Sequence, residues 1–278
     1  MRPAWLNKKI SLKDCAQMKQ TLRALSVETV CEQAMCPNIG ECFLAKVATL
    51  LILGKNCTRS CSFCNIQKGT PLPVDRDEPE RVAQAVAQLG LKHVVITSVT
   101  RDDLADGGSG VFADTVNRIR QKLPNVSVEL LIPDFGFSLA ALKTVALTSA
   151  QIIAHNLETV PALYKTVRTG ADYARSLGLL RTLKEISPVL KTKSGLMLGL
   201  GEKPDEVAAV MRDLRSVGCD LLSIGQYLAP SQKHYPVKEY ITPEQFGDYG
   251  KKARQLGFLH VQSAPYVRSS YLAAEYLA

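Results

Sequence analysis

Two groups of cysteines are the residues of this chain best suited to carry chemistry. Six of the eight cysteines lie between positions 31 and 64. Three of them occur in Cys57-Thr58-Arg59-Ser60-Cys61-Ser62-Phe63-Cys64, with the spacing C-x3-C-x2-C. Three thiolates can hold an iron–sulfur cube and leave one iron open to a substrate or cofactor. Zinc is the alternative, but a closed zinc site needs a fourth ligand, and no Cys or His follows closely.

The second group consists of Cys31, Cys36 and Cys42, with the spacing C-x4-C-x5-C. This spacing differs from that of a zinc ribbon, which uses two C-x2-C pairs. Three thiolates therefore predict a second cluster whose fourth ligand comes from elsewhere in the chain. The residues alone leave that ligand open between Cys15, Cys219, a hydroxyl and a carboxylate.

The elements that must position these cysteines follow a strand–helix alternation beyond residue 45. Apolar runs and helix-capping residues predict six strands and six helices. The predicted strands are Val47–Leu53, His93–Ser98, Val126–Ile132, Gln151–His155, Gly195–Leu200 and Leu221–Ile224. The predicted helices are Pro79–Leu89, Gly110–Lys122, Ser138–Leu147, Ala171–Ser187, Pro204–Val217 and Pro243–Leu256.

This alternation predicts an α/β fold with a parallel sheet and helical crossovers. The first turn lacks a dinucleotide-binding glycine fingerprint, so six such units favour a partial (β/α)6 barrel, and a doubly wound sheet is the alternative. In both folds the chemistry belongs at the carboxyl ends of the strands. Cys57, Cys61 and Cys64 follow the first predicted strand directly and meet this requirement.

Composition sets further limits. The 278 residues are 46% hydrophobic and 22% charged, which excludes a disordered chain. No apolar run approaches the roughly 20 residues of a membrane helix, and none near Met1 resembles a secretory signal. We therefore expect a soluble, cytoplasmic protein. The net charge of +8 does not distinguish nucleic acid, membrane and acidic protein partners. Because no run of five or six like charges occurs, a nucleic-acid-binding tail is not expected.

The C-x3-C-x2-C group, with Phe63 before its last cysteine, resembles the signature of radical S-adenosylmethionine (SAM) enzymes. In that superfamily the three cysteines hold a [4Fe–4S] cluster whose open iron binds the amino and carboxylate groups of SAM. The resemblance implies this role for Cys57, Cys61 and Cys64. It also implies a partial barrel of the radical SAM type, which agrees with the strand count.

The second cysteine group and the C-terminal Arg268-Ser269-Ser270-Tyr271 resemble the lipoyl synthase family. There the second serine of R-S-S-Y ligates an auxiliary [4Fe–4S] cluster, a role that here falls to Ser270, with Ser269 as the fallback. The resemblance assigns the other three ligands to Cys31, Cys36 and Cys42. A hydroxyl is a poorer iron ligand than a thiolate, so its bond should be labile, which suits a cluster that is dismantled to supply sulfur.

The resemblance extends over nearly the whole chain and implies where SAM is contacted. Residues at predicted strand ends are expected to bind its amino group, ribose or methionyl end. These are Asp102, Asp103, Gly107, Gly108, Asn156 and Glu158. Three regions are expected: 1–45 as an N-terminal extension with the auxiliary cysteines, 46–260 as the barrel, and 261–278 as a C-terminal extension with R-S-S-Y. The two extensions would cover the auxiliary cluster.

The activity implied is insertion of two sulfur atoms at C6 and C8 of an octanoyl chain bound to a lysine of a carrier domain. Those carbons are unactivated, so a radical must remove their hydrogens. Expected partners are an octanoylated glycine-cleavage H protein or 2-oxoacid dehydrogenase E2 subunit, a ferredoxin or flavodoxin, and an iron–sulfur carrier protein. No nucleic-acid or membrane partner is expected.

Two other functions compete with this one. A tRNA methylthiotransferase would suit the positive charge, but it adds an RNA-binding domain for which no residues are left. A zinc or iron–sulfur scaffold without catalysis is the second.

Overall fold

The computed structural model describes residues 3–7 and 15–277. The described residues contain eight strands. The first two strands pair antiparallel, and the other pairs described below are parallel. The strands are β1 (Glu28–Thr29), β2 (Val47–Ile52), β3 (His93–Ser98), β4 (Ser127–Leu131), β5 (Ile152–Ala154), β6 (Lys191–Leu198), β7 (Leu221–Gln226) and β8 (His260–Ser263).

Helices connect the strands in the alternation that the sequence predicts. They are α1 (Ala16–Ala24), α2 (Val30–Gln33), α3 (Ile39–Leu44), α4 (Glu78–Leu89), α5 (Ser109–Lys122), α6 (Leu139–Ala146), α7 (Tyr164–Val167), α8 (Tyr173–Ile186), α9 (Pro204–Ser216) and α10 (Pro243–Gln255). Short 3-10 helices lie at Ala4–Leu6, Phe135–Phe137, Pro161–Leu163 and Ala273–Leu277. The α/β fold class is confirmed.

All six predicted strands are present, and two more lie outside the predicted set. β1 has only two residues, which is too short for a periodic pattern to be detected. β8 reads His-Val-Gln-Ser and is only partly buried, so it lacks an apolar run. β6 begins four residues before the predicted Gly195 because its first half is polar yet buried, with the Lys193 side chain 0% exposed.

The chain divides into two compact units, each described here by itself. The N-terminal unit consists of residues 15–59, 66–153 and 272–277. In it β2 pairs in parallel with β3, and β3 with β4. Every residue of β2 is buried, as expected for a central parallel strand covered on both faces.

The C-terminal unit consists of residues 3–7, 60–65 and 154–271. In it β6 pairs in parallel with β7, and β7 with β8. An apolar cluster of Val167, Leu200 and Tyr227 lies at the carboxyl ends of these elements. Among the described residues, no helix is long and apolar enough to cross a membrane.

Candidate functional site

Cys57 is held by backbone contacts within the N-terminal unit. Its N–H donates to the carbonyl of Gln67 at 2.8 Å, and its carbonyl accepts from the N–H of Gly69 at 3.2 Å. The N–H of Thr100, just beyond β3, donates to the Cys57 Sγ at 3.3 Å. Hydrogen bonds on its N–H, its carbonyl and its Sγ therefore fix the first cysteine of the motif in place.

Arg59, two residues further on, is bound by two carboxylates. Its Nε and Nη2 donate to the Asp102 oxygens at 2.9 and 2.7 Å. Its Nη1 and Nη2 donate to those of Asp134 at 2.9 and 2.7 Å. Both pairs are bidentate, the geometry in which guanidinium and carboxylate interact most strongly. Arg59 thereby ties the cysteine loop to the ends of β3 and β4.

The electrostatics of these two pairs differ because their burial differs. The Asp134 side chain is 1% exposed and that of Asp102 43%, while the Arg59 side chain is 13% exposed. Hydrogen bonds from Arg59 hold the pKa of Asp102 below its usual range. Both oxygens of Asp102 accept from Arg59, and Oδ2 also accepts from the Thr58 hydroxyl at 3.0 Å. Asp102, predicted from the sequence to contact SAM, is engaged here in holding the cysteine loop.

We expect Arg59→Gln to lower the free energy of unfolding by about 3 kcal/mol, because it leaves the buried Asp134 carboxylate without its counter-ion. Asp102→Asn should cost less than about 1 kcal/mol, since that pair is solvent-exposed. Urea denaturation of the anaerobically purified protein measures both. The matched control is Arg59→Gln combined with Asp134→Asn, which removes the unpaired charge and should recover most of the loss. Equal destabilisation by the single and double variants would contradict the role given to Asp134.

Cys61 and Cys64 lie in the C-terminal unit, where the residues between them provide the anchors. The Ser62 N–H donates to the carbonyl of Val167 at 3.0 Å, and its hydroxyl to the carbonyl of Thr166 at 2.8 Å. Phe63 packs against the cluster of Val167, Leu200 and Tyr227. The aromatic residue of the motif thus supplies the packing that holds Cys61 and Cys64.

The second cysteine group lies in the N-terminal unit, on two short helices and the turn between them. The Thr29 side chain caps α2, which carries Cys31. The N–H of Cys36 donates to the carbonyl of Cys31 at 3.0 Å, so a single turn fixes their spacing. Cys42 is buried in α3, and its N–H donates to the carbonyl of Asn38 at 2.9 Å. Burial raises the pKa of the Cys31 thiol to about 11.

Of the remaining residues predicted to contact SAM, Asp103, Gly107 and Gly108 have structural partners in the N-terminal unit. Asp103 accepts a bidentate pair from the nearly buried Arg101, with Nη2 to Oδ2 at 2.8 Å. Gly107 and Gly108 have φ of 61° and 89°. A Cβ on Gly107 would meet the Phe135 ring at 2.9 Å, so glycine is required here by both conformation and space.

The other two predicted SAM contacts, Asn156 and Glu158, lie together in the C-terminal unit just past β5. The Asn156 Nδ2 donates to the Glu158 Oε1 at 3.0 Å. Burial raises the pKa of Glu158, while Arg168 and the Asn156 hydrogen bond act in the opposite direction. The backbone of Glu158 bridges to β6, because its N–H donates to the carbonyl of Gly195 at 2.9 Å.

The R-S-S-Y segment packs at the end of β7. A Cβ on Gly225 would collide with the carbonyl of Val267, so this segment lies directly on the strand backbone. The Ser269 hydroxyl donates to the Asn156 Oδ1 at 3.1 Å. The Ser270 hydroxyl makes no hydrogen bond to any residue that the structure describes. Of the two serines, Ser270 is the one whose oxygen is uncommitted.

The donor set fits iron–sulfur clusters. Each group supplies three thiols, and cluster irons take thiolate ligands. Within residues 3–7 and 15–277, no group of three or more His, Cys, Asp or Glu side chains is arranged to hold a single metal ion. The fit therefore depends on the donor type, the spacing and the anchoring of each loop.

The fold and these sites can be compared with known proteins. Residues 51–214, more than half of the chain, match the radical SAM superfamily. Methylornithine synthase (PylB) aligns with a TM-score of 0.56 at 14% sequence identity, covering 88% of this chain and 81% of that chain. HydG, a maturase of the FeFe hydrogenase, aligns with a TM-score of 0.58 at 14% identity, covering 92% and 73%. At these identities the structures show the fold alone, and the match to the superfamily defines the class as radical SAM proteins.

Within that class the chain belongs to the lipoyl synthase family. It is 58% identical over 275 residues to lipoyl synthase of Geobacter metallireducens, covering 99% of this chain and 97% of that protein. It is 53% identical over 272 residues to lipoyl synthase of Caldanaerobacter subterraneus, covering 98% and 95%.

Membership confirms several predictions made from the sequence. The protein is an enzyme, a radical SAM sulfurtransferase with the activity of the lipoyl synthase family. Its cofactors are those of the family, SAM and two [4Fe–4S] clusters. Its substrate is an octanoylated carrier protein, and it requires a reductant.

Sequence reasoning missed two residues that organise the site. Arg59 lies inside the cysteine motif, and a charged residue between two predicted metal ligands was the available signal. Asp134 lies three residues past the end of β4, in the region where polar side chains of a parallel sheet gather. Its partner Arg59 is 75 residues away in the chain, so no local sequence pattern predicts this pair.

Proposed function

We propose that Cys57, Cys61 and Cys64 hold the SAM-binding cluster, and that Cys31, Cys36, Cys42 and Ser270 hold the auxiliary cluster. The observation that carries this proposal is the donor set: two groups of three thiols, each on an anchored loop, and one serine with an uncommitted hydroxyl. Three thiolates leave one iron of a cube open. The first cluster needs that open iron for SAM, and the second fills it with Ser270.

The cofactors supply the chemistry. When bound, they provide a 5′-deoxyadenosyl radical that removes hydrogens from C6 and C8 of the octanoyl chain, and sulfide that replaces them. The chain's own residues bind, orient and exclude water. The Thr100 N–H and the Arg59 pairs fix the loop that carries Cys57. Ser62 and Phe63 fix the part that carries Cys61 and Cys64.

SAM itself is proposed to contact Asn156 and Glu158 through its ribose or amino group. A carboxylate beside an amide can accept from hydroxyl or ammonium groups and still keep its own hydrogen bond. Gly107 and Gly108 are proposed to let backbone approach the methionyl end. Asp102 and Asp103 are also proposed to contact SAM, because part of each side chain is exposed. Their oxygens already accept hydrogen bonds from Arg59 and Arg101.

Three regions are proposed: residues 1–45 and 261–278 as extensions that cover the auxiliary cluster, and 46–260 as the barrel. The carrier is proposed to be a glycine-cleavage H protein or a 2-oxoacid dehydrogenase E2 subunit. A ferredoxin or flavodoxin would supply electrons, and an iron–sulfur carrier protein would rebuild the auxiliary cluster. A cytoplasmic location is proposed.

Anaerobic purification followed by iron and sulfide analysis tests this function. Two four-iron clusters predict a brown protein with about eight irons and eight sulfides per chain. With SAM, a strong reductant and an octanoylated carrier domain, mass spectrometry should show two sulfur atoms added to the octanoyl group. The same mixture without SAM is the control. A colourless zinc protein, or an iron protein that leaves the octanoyl group unchanged, would overturn the proposal.

A further inference from the structure

Ser269, the first serine of R-S-S-Y, lies at the start of a chain of hydrogen bonds in the C-terminal unit. Its hydroxyl donates to the Asn156 Oδ1 at 3.1 Å, and the Asn156 Nδ2 donates to the Glu158 Oε1 at 3.0 Å. The three polar groups are thus joined in one direction, from a hydroxyl through an amide to a carboxylate. This path joins the C-terminal segment to residues just past β5.

The surroundings of Asn156 leave its amide little freedom. The side chain is 9% exposed, and a Cβ placed on Gly195 would lie 2.9 Å from Oδ1. An amide can turn over and exchange its oxygen and nitrogen, and only its hydrogen bonds decide between the two orientations. As a carboxylate, Glu158 can only accept, so it takes the NH2 group of Asn156 and leaves Oδ1 on the side of Ser269, whose hydroxyl donates to it.

The path also positions the carboxylate. Glu158 has φ of 67°, a left-handed conformation that is uncommon for a residue with a side chain. Its backbone is fixed on β6 by the bond to Gly195. The Asn156 donor then sets the direction of Oε1 and leaves Oε2 for another partner. Without Ser269, the Asn156 oxygen loses its donor, and the amide is less firmly held in the orientation that directs its NH2 group at Oε1.

We propose that Ser269 is a positioning residue for SAM binding, acting through Asn156 on Glu158. This inference rests on the proposed function, in which these two residues contact SAM. It gives the adjacent serines separate tasks: Ser270 ligates the auxiliary cluster, and Ser269 orders the SAM site. Two neighbouring residues of one segment would thus serve different cofactors.

The test measures SAM binding without turnover. Equilibrium dialysis of SAM against the two-cluster protein, with no reductant present, gives a dissociation constant for each variant. Ser269→Ala should weaken SAM binding about fivefold, the effect of one neutral hydrogen bond. Ser269→Thr should keep the affinity within twofold, because it retains the hydroxyl. Ser269→Val has the shape of threonine without the hydroxyl and should bind as weakly as Ser269→Ala.

A double-mutant cycle tests the route through Asn156. If Ser269 acts only through that amide, Ser269→Ala should add nothing to the loss caused by Asn156→Ala. Ser216→Ala, which removes a surface hydroxyl bonded to the carbonyl of Asp213, is the matched control and should leave SAM binding unchanged. All variants should retain about eight irons per chain.

The possible outcomes separate this inference from the proposed function. If the unaltered protein does not bind SAM, the proposed function is overturned and the inference falls with it. If the unaltered protein binds SAM, and Ser269→Ala and Ser269→Val bind it as tightly as the unaltered protein does, only the inference is overturned. Loss of iron from Ser269→Ala with unchanged SAM affinity would make Ser269 a cluster ligand and would likewise overturn it. If Ser269→Ala does not fold, the difference in SAM affinity between Ser269→Thr and Ser269→Val decides the question.

Discussion

Replacing Cys57, Cys61 or Cys64 by alanine is expected to abolish reductive cleavage of SAM. A cube held by three thiolates has no spare protein ligand, so the loss of one leaves the cluster on two and the SAM site is lost with it. Production of 5′-deoxyadenosine should fall to the level without enzyme. About four irons per chain should stay bound, because the auxiliary ligands are separate residues. Chromatography of the nucleoside and iron analysis measure both effects.

Cys219→Ala is the matched control for these variants. Cys219 is buried and the burial raises the pKa of its thiol to about 12, so it is the kind of cysteine that packs in a core. Its Sγ lies 3.5 Å from the carbonyl of Leu221, within its own unit. The variant should keep SAM cleavage and both clusters. Undiminished 5′-deoxyadenosine production by a Cys57, Cys61 or Cys64 variant would contradict the assignment.

Replacing Cys31, Cys36 or Cys42 by alanine should separate the two halves of the reaction. The variant loses the auxiliary cluster, and with it the sulfur donor, while the SAM-binding cluster keeps its three thiolates. SAM should still be cleaved, slowly and without coupling to product. Formation of thiolated octanoyl carrier, followed by mass spectrometry, should fall below detection. Full lipoyl product from any of these variants would show that the sulfur comes from another source.

Substitution of Ser270 should have a milder effect than substitution of Cys31, Cys36 or Cys42. In Ser270→Ala three thiolates can still hold the cube, so the iron content should fall little while sulfur insertion is impaired. Ser270→Cys should bind the fourth iron more tightly, because thiolate is a better iron ligand than a hydroxyl, and should slow iron release and sulfur transfer. Equal product formation by the unaltered protein and both variants would exclude Ser270 as a ligand.

The positions of the main strands could be predicted because each has a strong local signal. Val47–Ile52 and His93–Ser98 are apolar runs that bury nearly every residue, and both were predicted to within one residue. The first half of β6 was missed because buried polar residues, including Lys193, resemble a surface segment in sequence. In the N-terminal region α2 and α3 were missed because they have only four and six residues, and α1 because its apolar face has just two buried residues, Met18 and Leu22.

The donor chemistry of this protein could be predicted from the cysteine spacing alone. The type and spacing of the thiols can be seen directly in the sequence. A C-x3-C-x2-C group that follows a buried strand predicts a cluster site in any fold that places the group at a strand end. The partners of the polar residues, in contrast, depend on the three-dimensional fold. Asp102, predicted to contact SAM, pairs with Arg59, and Arg59 also reaches Asp134 across 75 residues of chain. Ser269 bonds to Asn156 across 113 residues. Such pairs form because parallel strands bring their carboxyl ends to one edge, and no local pattern records which side chains meet there.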